Sequence, residues 1–283
     1  MRQVLIYVII SQWLCFSAII NGYSLSTKNF PLLASQKDNV KKSFAPGETN
    51  LSSYLIYKPK SKTSVKNLWD EMCPSWSVIG KSTSLDVVIT WTRSTEDAAH
   101  QAASELIGQM NPSPEKEIIL IDELTKSLIE FSDFCKEHID KGQQKYKARI
   151  VASRGKMGTK CPQWHIDHVP VRWIQSLKGP GCEIVLENGI NWSAINGLED
   201  DDSLLEIKDR NDLRVDSKLA TIYRAKEQEV ALLVGNKWND FAKQSSTPLD
   251  PAVHRSPSEI PPWQGRILLT QDILLGETLE DGF

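Results

Sequence analysis

Three side chains with metal-ligand chemistry stand in two short segments of this chain. One segment is Cys161-Pro162-Gln163-Trp164-His165-Ile166-Asp167-His168, the other Val253-His254-Arg255-Ser256-Pro257. Along an extended strand alternate side chains share a face. His165 and Asp167 then point one way with Val169, Val171 and Trp173, while His168 and Arg172 point the other. A carboxylate in an otherwise apolar row is costly unless a cation or strong hydrogen bonds satisfy it. A divalent metal would satisfy both side chains. Pro170 suits only an edge strand or a bend. His254 follows Asp167 by 87 residues. A double-stranded β-helix spans such a separation, because strands distant in sequence lie side by side in it. Two histidines and one carboxylate leave positions open on a metal, an arrangement suited to iron(II). Arg266 comes 12 residues after His254, with Thr270 on the same face of its strand. A guanidinium there can hold a carboxylate through two parallel hydrogen bonds. Cys161 precedes His165 by four residues. If the chain bends at Pro162, its thiolate joins the imidazoles, a donor set that favours zinc. The plainer reading is a hydrogen-bonded pair of core histidines, an ordinary ion pair at Arg266 and a buried structural thiol at Cys161.

The same segments resemble a known family. Cys161-x-x-x-His165-x-Asp167-x-Val169-Pro170-x-Arg172 is followed by Lys178-Gly179-Pro180-Gly181 and Ala231-Leu232-Leu233-x-Gly235. Val253-His254-Arg255-Ser256-Pro257 and Arg266-x-Leu268-Leu269-Thr270 complete the set. This set is similar to the largely bacterial family called domain of unknown function 1826. The resemblance runs from about Leu85 to Asp272 and implies a shared fold without an assigned activity. More distantly, the order His-x-Asp, distant His, then Arg resembles the iron(II)/2-oxoglutarate-dependent oxygenase superfamily. That resemblance implies Fe(II) and 2-oxoglutarate as cofactors and hydroxylation of a small-molecule or protein substrate. By it, His165, Asp167 and His254 hold the metal, and Arg266 with Thr270 holds the far carboxylate of the co-substrate. No catalytic group beyond the metal ligands is expected. The chain departs from the superfamily pattern at Leu268, where many relatives carry serine. Two alternatives use the same residues. One is a zinc-binding protein or zinc hydrolase with Cys161 as an added ligand. The other is a non-catalytic cupin-like module that binds a small acid through Arg266.

The elements that must position these residues follow from periodicity. Leu85–Trp91 is β-branched and bounded by polar residues, so it reads as a strand. Ser94–Met110 reads as a helix capped by Ser94 or Thr95 and stopped by Pro112. Glu117–Ile139 reads as a second helix. Its Leu120, Leu124, Leu128 and Phe131, widened by Ile121 and Phe134, form an apolar stripe that should pack on a sheet. Beyond Gly142, strands are expected at 148–153, 164–177, 182–186, 220–224, 229–234, 252–256 and 266–272. Gly179-Pro180-Gly181 and Gly235-Asn236 mark turns. Leu198–Asp216 interrupts the strands, and its acidic run Glu199-Asp200-Asp201-Asp202 reads as a solvated loop. The expected fold class is α+β. A double-stranded β-helix (jelly-roll, cupin-like) core fills 146–275 over an N-terminal α/β support layer at 51–145, with a tail at 276–283.

Composition narrows the partners. Apolar residues make up 40% and charged residues 24%, enough for a packed core. With 33 basic against 36 acidic residues the net charge is -3, so nucleic acid and acidic membranes exert no general attraction. Arg2 precedes an apolar run, Val4–Ile20, that is shorter than the about 20 residues of a membrane span. Gly22 and Ser24 then place small residues two apart, so 1–24 reads as a cleavable signal peptide. Leu25–Gly47 is rich in Ser and Lys with one acid, Asp38, which makes 25–50 a transit-like or disordered segment. A signal followed by such a segment resembles the bipartite leaders of complex algal plastids. The secretory route, ending in a plastid or outside the cell, is the expectation, with no stable membrane span after cleavage. Five cysteines without a CxxC pair make neither a disulfide framework nor a zinc ribbon.

Overall fold

Alternating burial sets the first long strand. In Leu85–Thr92, Val87, Ile89 and Trp91 are buried while Asp86, Val88 and Thr90 are exposed. The structure, a computed structural model, describes residues 53–59, 69, 72, 85–92, 96–139, 144–155, 159–197, 205–243, 248–257, 260–261 and 263–274. The signal peptide at 1–24, the transit-like region at 25–50, the caps Ser94 and Thr95, the acidic run Glu199–Asp202 and the tail at 276–283 lie outside them.

Nine strands form two antiparallel sheets among the described residues. They are β1 (Tyr54–Tyr57), β2 (Leu85–Thr92), β3 (Lys145–Arg154), β4 (Val171–Lys178), β5 (Glu183–Glu187), β6 (Thr221–Arg224), β7 (Val230–Val234), β8 (His254–Arg255) and β9 (Gly265–Leu274). The larger sheet has the order β1-β7-β4-β9-β3-β2, and the smaller β6-β5-β8. The fold is mixed α/β with a large antiparallel sheet. β1 and β2, from the N-terminal part, pair with β7 and β3 of the later part.

Helices α1 (Glu96–Met110) and α2 (Pro114–His138) cover one face of the large sheet. Leu120, Leu124, Leu128 and Phe131 of α2 are each at most 1% exposed and join Tyr146, Ile150, Trp173, Ile267 and Leu269 in one core. Polar pins cross the same interface. Ser127 Oγ donates to Gln175 Oε1 at 3.0 Å, and Gln271 Nε2 donates to the Ser127 carbonyl at 3.1 Å. The helix begins three residues before the expected Glu117, because Pro114 suits the first turn, where its missing N–H is no loss. Ile174, Ala231, Leu233 and Leu268, on the other face of the large sheet, pack against Cys182, Ile184 and Tyr223 of the small-sheet side. The site lies on this second face.

The elements differ from the expected ones in three places. The segment 164–170 is not strand, and β4 begins only at Val171. Pro170 cannot donate to a ladder, and the carbonyls of Asp167, Val169 and Pro170 instead accept from the turn after β7. The stretch 198–216, given no regular element from the sequence, contains α4 (Ile207–Arg214), preceded by α3 (Trp192–Gly197). β1 at Tyr54–Tyr57 escaped the sequence reading, being only four residues long. A one-turn helix, α5 (Trp238–Phe241), follows β7. No helix among the described residues is long and apolar enough to cross a membrane.

Candidate metal centre

His165 and His254 are held as a direct cross-strand pair. Each backbone N–H donates to the other's carbonyl at 3.0 Å. Directly opposed residues of an antiparallel pair put their side chains on the same face, and the two rings lie 4.4 Å apart between centroids. His254 is further fixed by β5, where Ile184 stands opposite it. The segment entering His165 is fastened by α4. Asn211 accepts from Trp164 N–H at 2.8 Å and donates to the Pro162 carbonyl at 2.9 Å, and Arg214 donates to the Trp164 carbonyl at 3.0 Å.

Asp167 sits in the bend between that segment and β4. The turn Gly235-Asn236-Lys237 holds the bend from below. Gly235 N–H donates to the Pro170 carbonyl at 3.0 Å and Asn236 N–H to the Asp167 carbonyl at 2.9 Å. A Cβ on Gly235 would meet the Val169 carbonyl oxygen at 1.9 Å, so only glycine lets the two backbones approach this closely. The side chain is then clamped by Arg172, whose Nη1 donates to Asp167 Oδ1. Sequence parity placed Arg172 on the opposite face. It shares the face of Asp167 because the bend at 167–170 resets the alternation before β4 starts. His168 does point away, is exposed, and pairs with Asn236 at 2.8 Å.

One ligand atom from each of His165, Asp167 and His254 lies within 4.8 Å of the others. Asp167 Oδ2 faces His254 Nε2 at 3.2 Å, and Oδ1 faces His165 Nε2 at 3.9 Å. Both imidazoles are oriented from behind. His165 Nδ1 meets the Gln163 carbonyl at 2.8 Å, and His254 Nδ1 meets the Ala252 carbonyl at 3.2 Å. A carbonyl only accepts, so each Nδ1 carries the proton in the neutral ring and each Nε2 turns a bare lone pair towards Asp167. Asp167 Oδ2 is buried without a hydrogen-bond partner. Lone pairs face lone pairs, and a cation or a proton must sit among them. One proton satisfies one imidazole, whereas one metal ion satisfies all three groups. Burial, reinforced by the neighbouring His254, pulls His165 down to about 4, so it is neutral and able to ligate near neutral pH. Burial opposes ionisation of Asp167, but the positive charge beside it, with the Arg172 guanidinium in direct contact, holds the carboxyl below its ordinary range. The donor set fits a divalent transition metal. His165 is 29% exposed at its side chain against 6% for Asp167 and 4% for His254, so the centre opens on the His165 side.

Arg266 and Thr270 lie on the same face of β9 as Asp272, which binds Arg172. Arg266 is 2% exposed and its Nε donates to the Pro180 carbonyl at 2.9 Å. Burial pulls its guanidinium down to about 10, the behaviour of a cation that gains from a nearby anion. Thr270 is half-buried and stands opposite Ile174 and Arg149. Cys161 is exposed, not buried as a structural thiol would be, and is not part of the three-residue group. It is nevertheless close enough to Asp167, Arg172 and Arg266 to feel their charges. Cys182 is buried between the sheets, and burial pushes its thiol up to about 12. The sequence reading missed Arg172, Asn211 and Gly235 as supports of the site. For Arg172 the signal was present, since Pro170 between Asp167 and Arg172 already forbade a single uninterrupted strand.

The profile of a family described as "Protein of unknown function (DUF1826)" matches residues 81–272. No curated protein matches the chain. Solved structures similar to it include a bsmA homolog from Methylobium petroleophilum PM1, at 12% identity over 80% of this chain and 89% of that one, with a TM-score of 0.34. A full-length Neurospora crassa protein, solved with alpha-KG and thymine, is 9% identical over 78% of this chain and 76% of its own, with a TM-score of 0.37. AtDAO1, the dioxygenase for auxin oxidation 1 from Arabidopsis thaliana, is 11% identical over 79% and 76%, with a TM-score of 0.31.

Proposed function

Since this chain belongs to the DUF1826 family, which is described as being of unknown function, we propose its activity from the site itself: a metal-dependent oxygenase of the iron(II)/2-oxoglutarate type. The observation that carries the reading is the convergence of two Nε2 lone pairs and an unsatisfied, buried carboxylate oxygen within 4.8 Å. Three protein ligands from one side leave the other side for a co-substrate and a gas. When bound, iron(II) with 2-oxoglutarate supplies the activation of dioxygen and the decarboxylation that drive a hydroxylation. Within the proposal the two-sheet arrangement is a double-stranded β-helix, and the secretory leader carries the protein to a plastid or out of the cell.

The protein's own part is positional and electrostatic. His165 and His254, each fixed through Nδ1 to a carbonyl, present neutral Nε2 donors. Asp167 supplies the anionic donor and lowers the net charge of the centre. Arg266, buried between the sheets, takes the far carboxylate of a diacid through a bidentate contact, with the Thr270 hydroxyl four residues further along the same face of the strand. Ile174, Ile184, Cys182 and Leu268 around this face keep bulk water out.

The test is metal content and co-substrate turnover. Protein purified without chelator or nickel, then supplied with Fe(II), ascorbate and 2-oxoglutarate, should convert 2-oxoglutarate to succinate slowly even without a prime substrate. Tight zinc with no 2-oxoglutarate consumed sinks the oxygenase reading in favour of a zinc protein. Binding of 2-oxoglutarate to metal-free protein, with no metal taken up, identifies a small-acid binding module instead.

A further inference from the structure

Asp167 does not present both oxygens alike. Oδ1 accepts from Arg172 Nη1, while Oδ2 is left without a donor and faces His254. Arg172 is itself gripped from its other edge. Its Nε donates to Asp272 Oδ1 at 2.6 Å and its Nη2 to Asp272 Oδ2 at 3.0 Å. Asp272 stands on β9 directly opposite Arg172 on β4 and directly opposite Lys147 on β3. A row of alternating charge therefore runs across three neighbouring strands of the rigid sheet and ends on the ligand carboxylate.

We propose that Arg172 is a positioning residue which, anchored by Asp272, makes Asp167 a one-oxygen metal ligand. The inference rests on the metal-centre reading above. Its physical basis is the guanidinium fork. Two parallel hydrogen bonds to Asp272 lock the plane and direction of the group, so the remaining Nη1 points along one fixed line. Asp167 lies on a bend rather than in a ladder, and its χ angles are otherwise set only by packing. With Oδ1 occupied, the carboxylate can neither rotate nor chelate through both oxygens, and one more metal position stays open for co-substrate. A lysine at 172 keeps the charge but has no fork, so it cannot hold Asp272 and Asp167 together in one plane.

The experiment uses the full chain, stripped of metal, titrated with Co(II) and read by its visible absorption, together with urea unfolding of the metal-free forms. Arg172→Lys and Arg172→Gln should each weaken Co(II) binding by about 10–100-fold and change the shape and intensity of the absorption bands as Asp167 turns both oxygens to the ion. Asp272→Asn, which loosens the anchor, should shift both readouts in the same direction by less. Arg172→Lys with wild-type affinity and a superimposable spectrum overturns the inference. Weaker binding with an unchanged spectrum, explained by lost stability of the metal-free protein, overturns it too, because it marks Arg172 as merely structural. Should Arg172→Gln fail to fold, Arg172→Lys and Asp272→Asn decide. A wild-type chain that takes up no Co(II) sinks the metal-centre reading itself, and this inference with it. Uptake by wild type with no change in the variants sinks only the role of Arg172.

Discussion

Single side chains in this protein do opposite things with burial. At His165 burial disfavours the proton and leaves a neutral imidazole able to ligate, whereas at Arg266 it leaves a cation that gains from an anion. Arg266→Gln removes that charge while leaving the three metal-binding groups in place. The expected outcome is unchanged metal content with 2-oxoglutarate bound on the order of 10–100-fold more weakly, since a hydrogen bond to a charged group contributes about 1.5–3 kcal/mol. Calorimetric titration of the metal-loaded variant checks it. Glu130 on α2 shows burial acting on a carboxyl. Burial raises it to about 7, the hydrogen bond from Tyr57 pulls the other way, and Asp133 pushes it further up. Its folded value therefore lies above the unfolded one. The stability it contributes is present below about 4.5 and is lost as pH rises through about 7. Wild type should lose roughly 1–3 kcal/mol relative to Glu130→Gln between about pH 5 and about pH 8.5, read as a change in the gap between their urea midpoints. A constant gap means that folding does not raise the Glu130 carboxyl above its unfolded value.

At the level of elements, the site is hung on irregular backbone that regular elements hold in place. The bend at 165–170 rests on the turn after β7, and Gly235 is the point of closest approach. In Gly235→Ala the added Cβ meets backbone and not a flexible side chain, so the bend must move. A stability loss of about 1–3 kcal/mol should accompany weakened metal binding. Gly197→Ala is the control, for nothing lies within 4 Å of its Cβ position. If both variants bind metal like wild type, the turn does not position Asp167. The helical layer acts differently, through area alone. Leu124 is 1% exposed in the core between α2 and the large sheet. Leu124→Ala should cost about 2–5 kcal/mol in urea unfolding without altering the metal-bound absorption. A loss near zero means that the stripe is not packed on the sheet.

Across the whole molecule the three candidate ligands, His165, Asp167 and His254, bring the segment before β4 against the short β8, far away in sequence. An ion held by both stabilises the native state alone. At a concentration about 1,000 times its dissociation constant, Co(II) should add about 4 kcal/mol to unfolding, measured as a shift of the urea midpoint relative to protein in chelator. The shift should vanish in His254→Ala, and its persistence there places the ion elsewhere. By itself the sequence singled out the candidate ligand residues, the arginine on β9 and the two helices. Residue type decides donor chemistry, and helical periodicity over 15 and 25 residues is a strong local signal. The strands beyond Gly142 were legible for a related reason, being apolar runs between turn residues. Other features were decided only by the tertiary structure. His165 and His254 meet because their backbones bond across the chain, and no local pattern encodes that pairing. Asp167 joins them through a bend, not through strand alternation, and the same bend turns Arg172 towards it against its sequence parity. The helix Ile207–Arg214 gave no helical signal because its work is polar: Asn211 and Arg214 bind the backbone that leads into His165. Periodicity reports burial of apolar surface, and hydrogen bonds made to distant backbone leave no period to read.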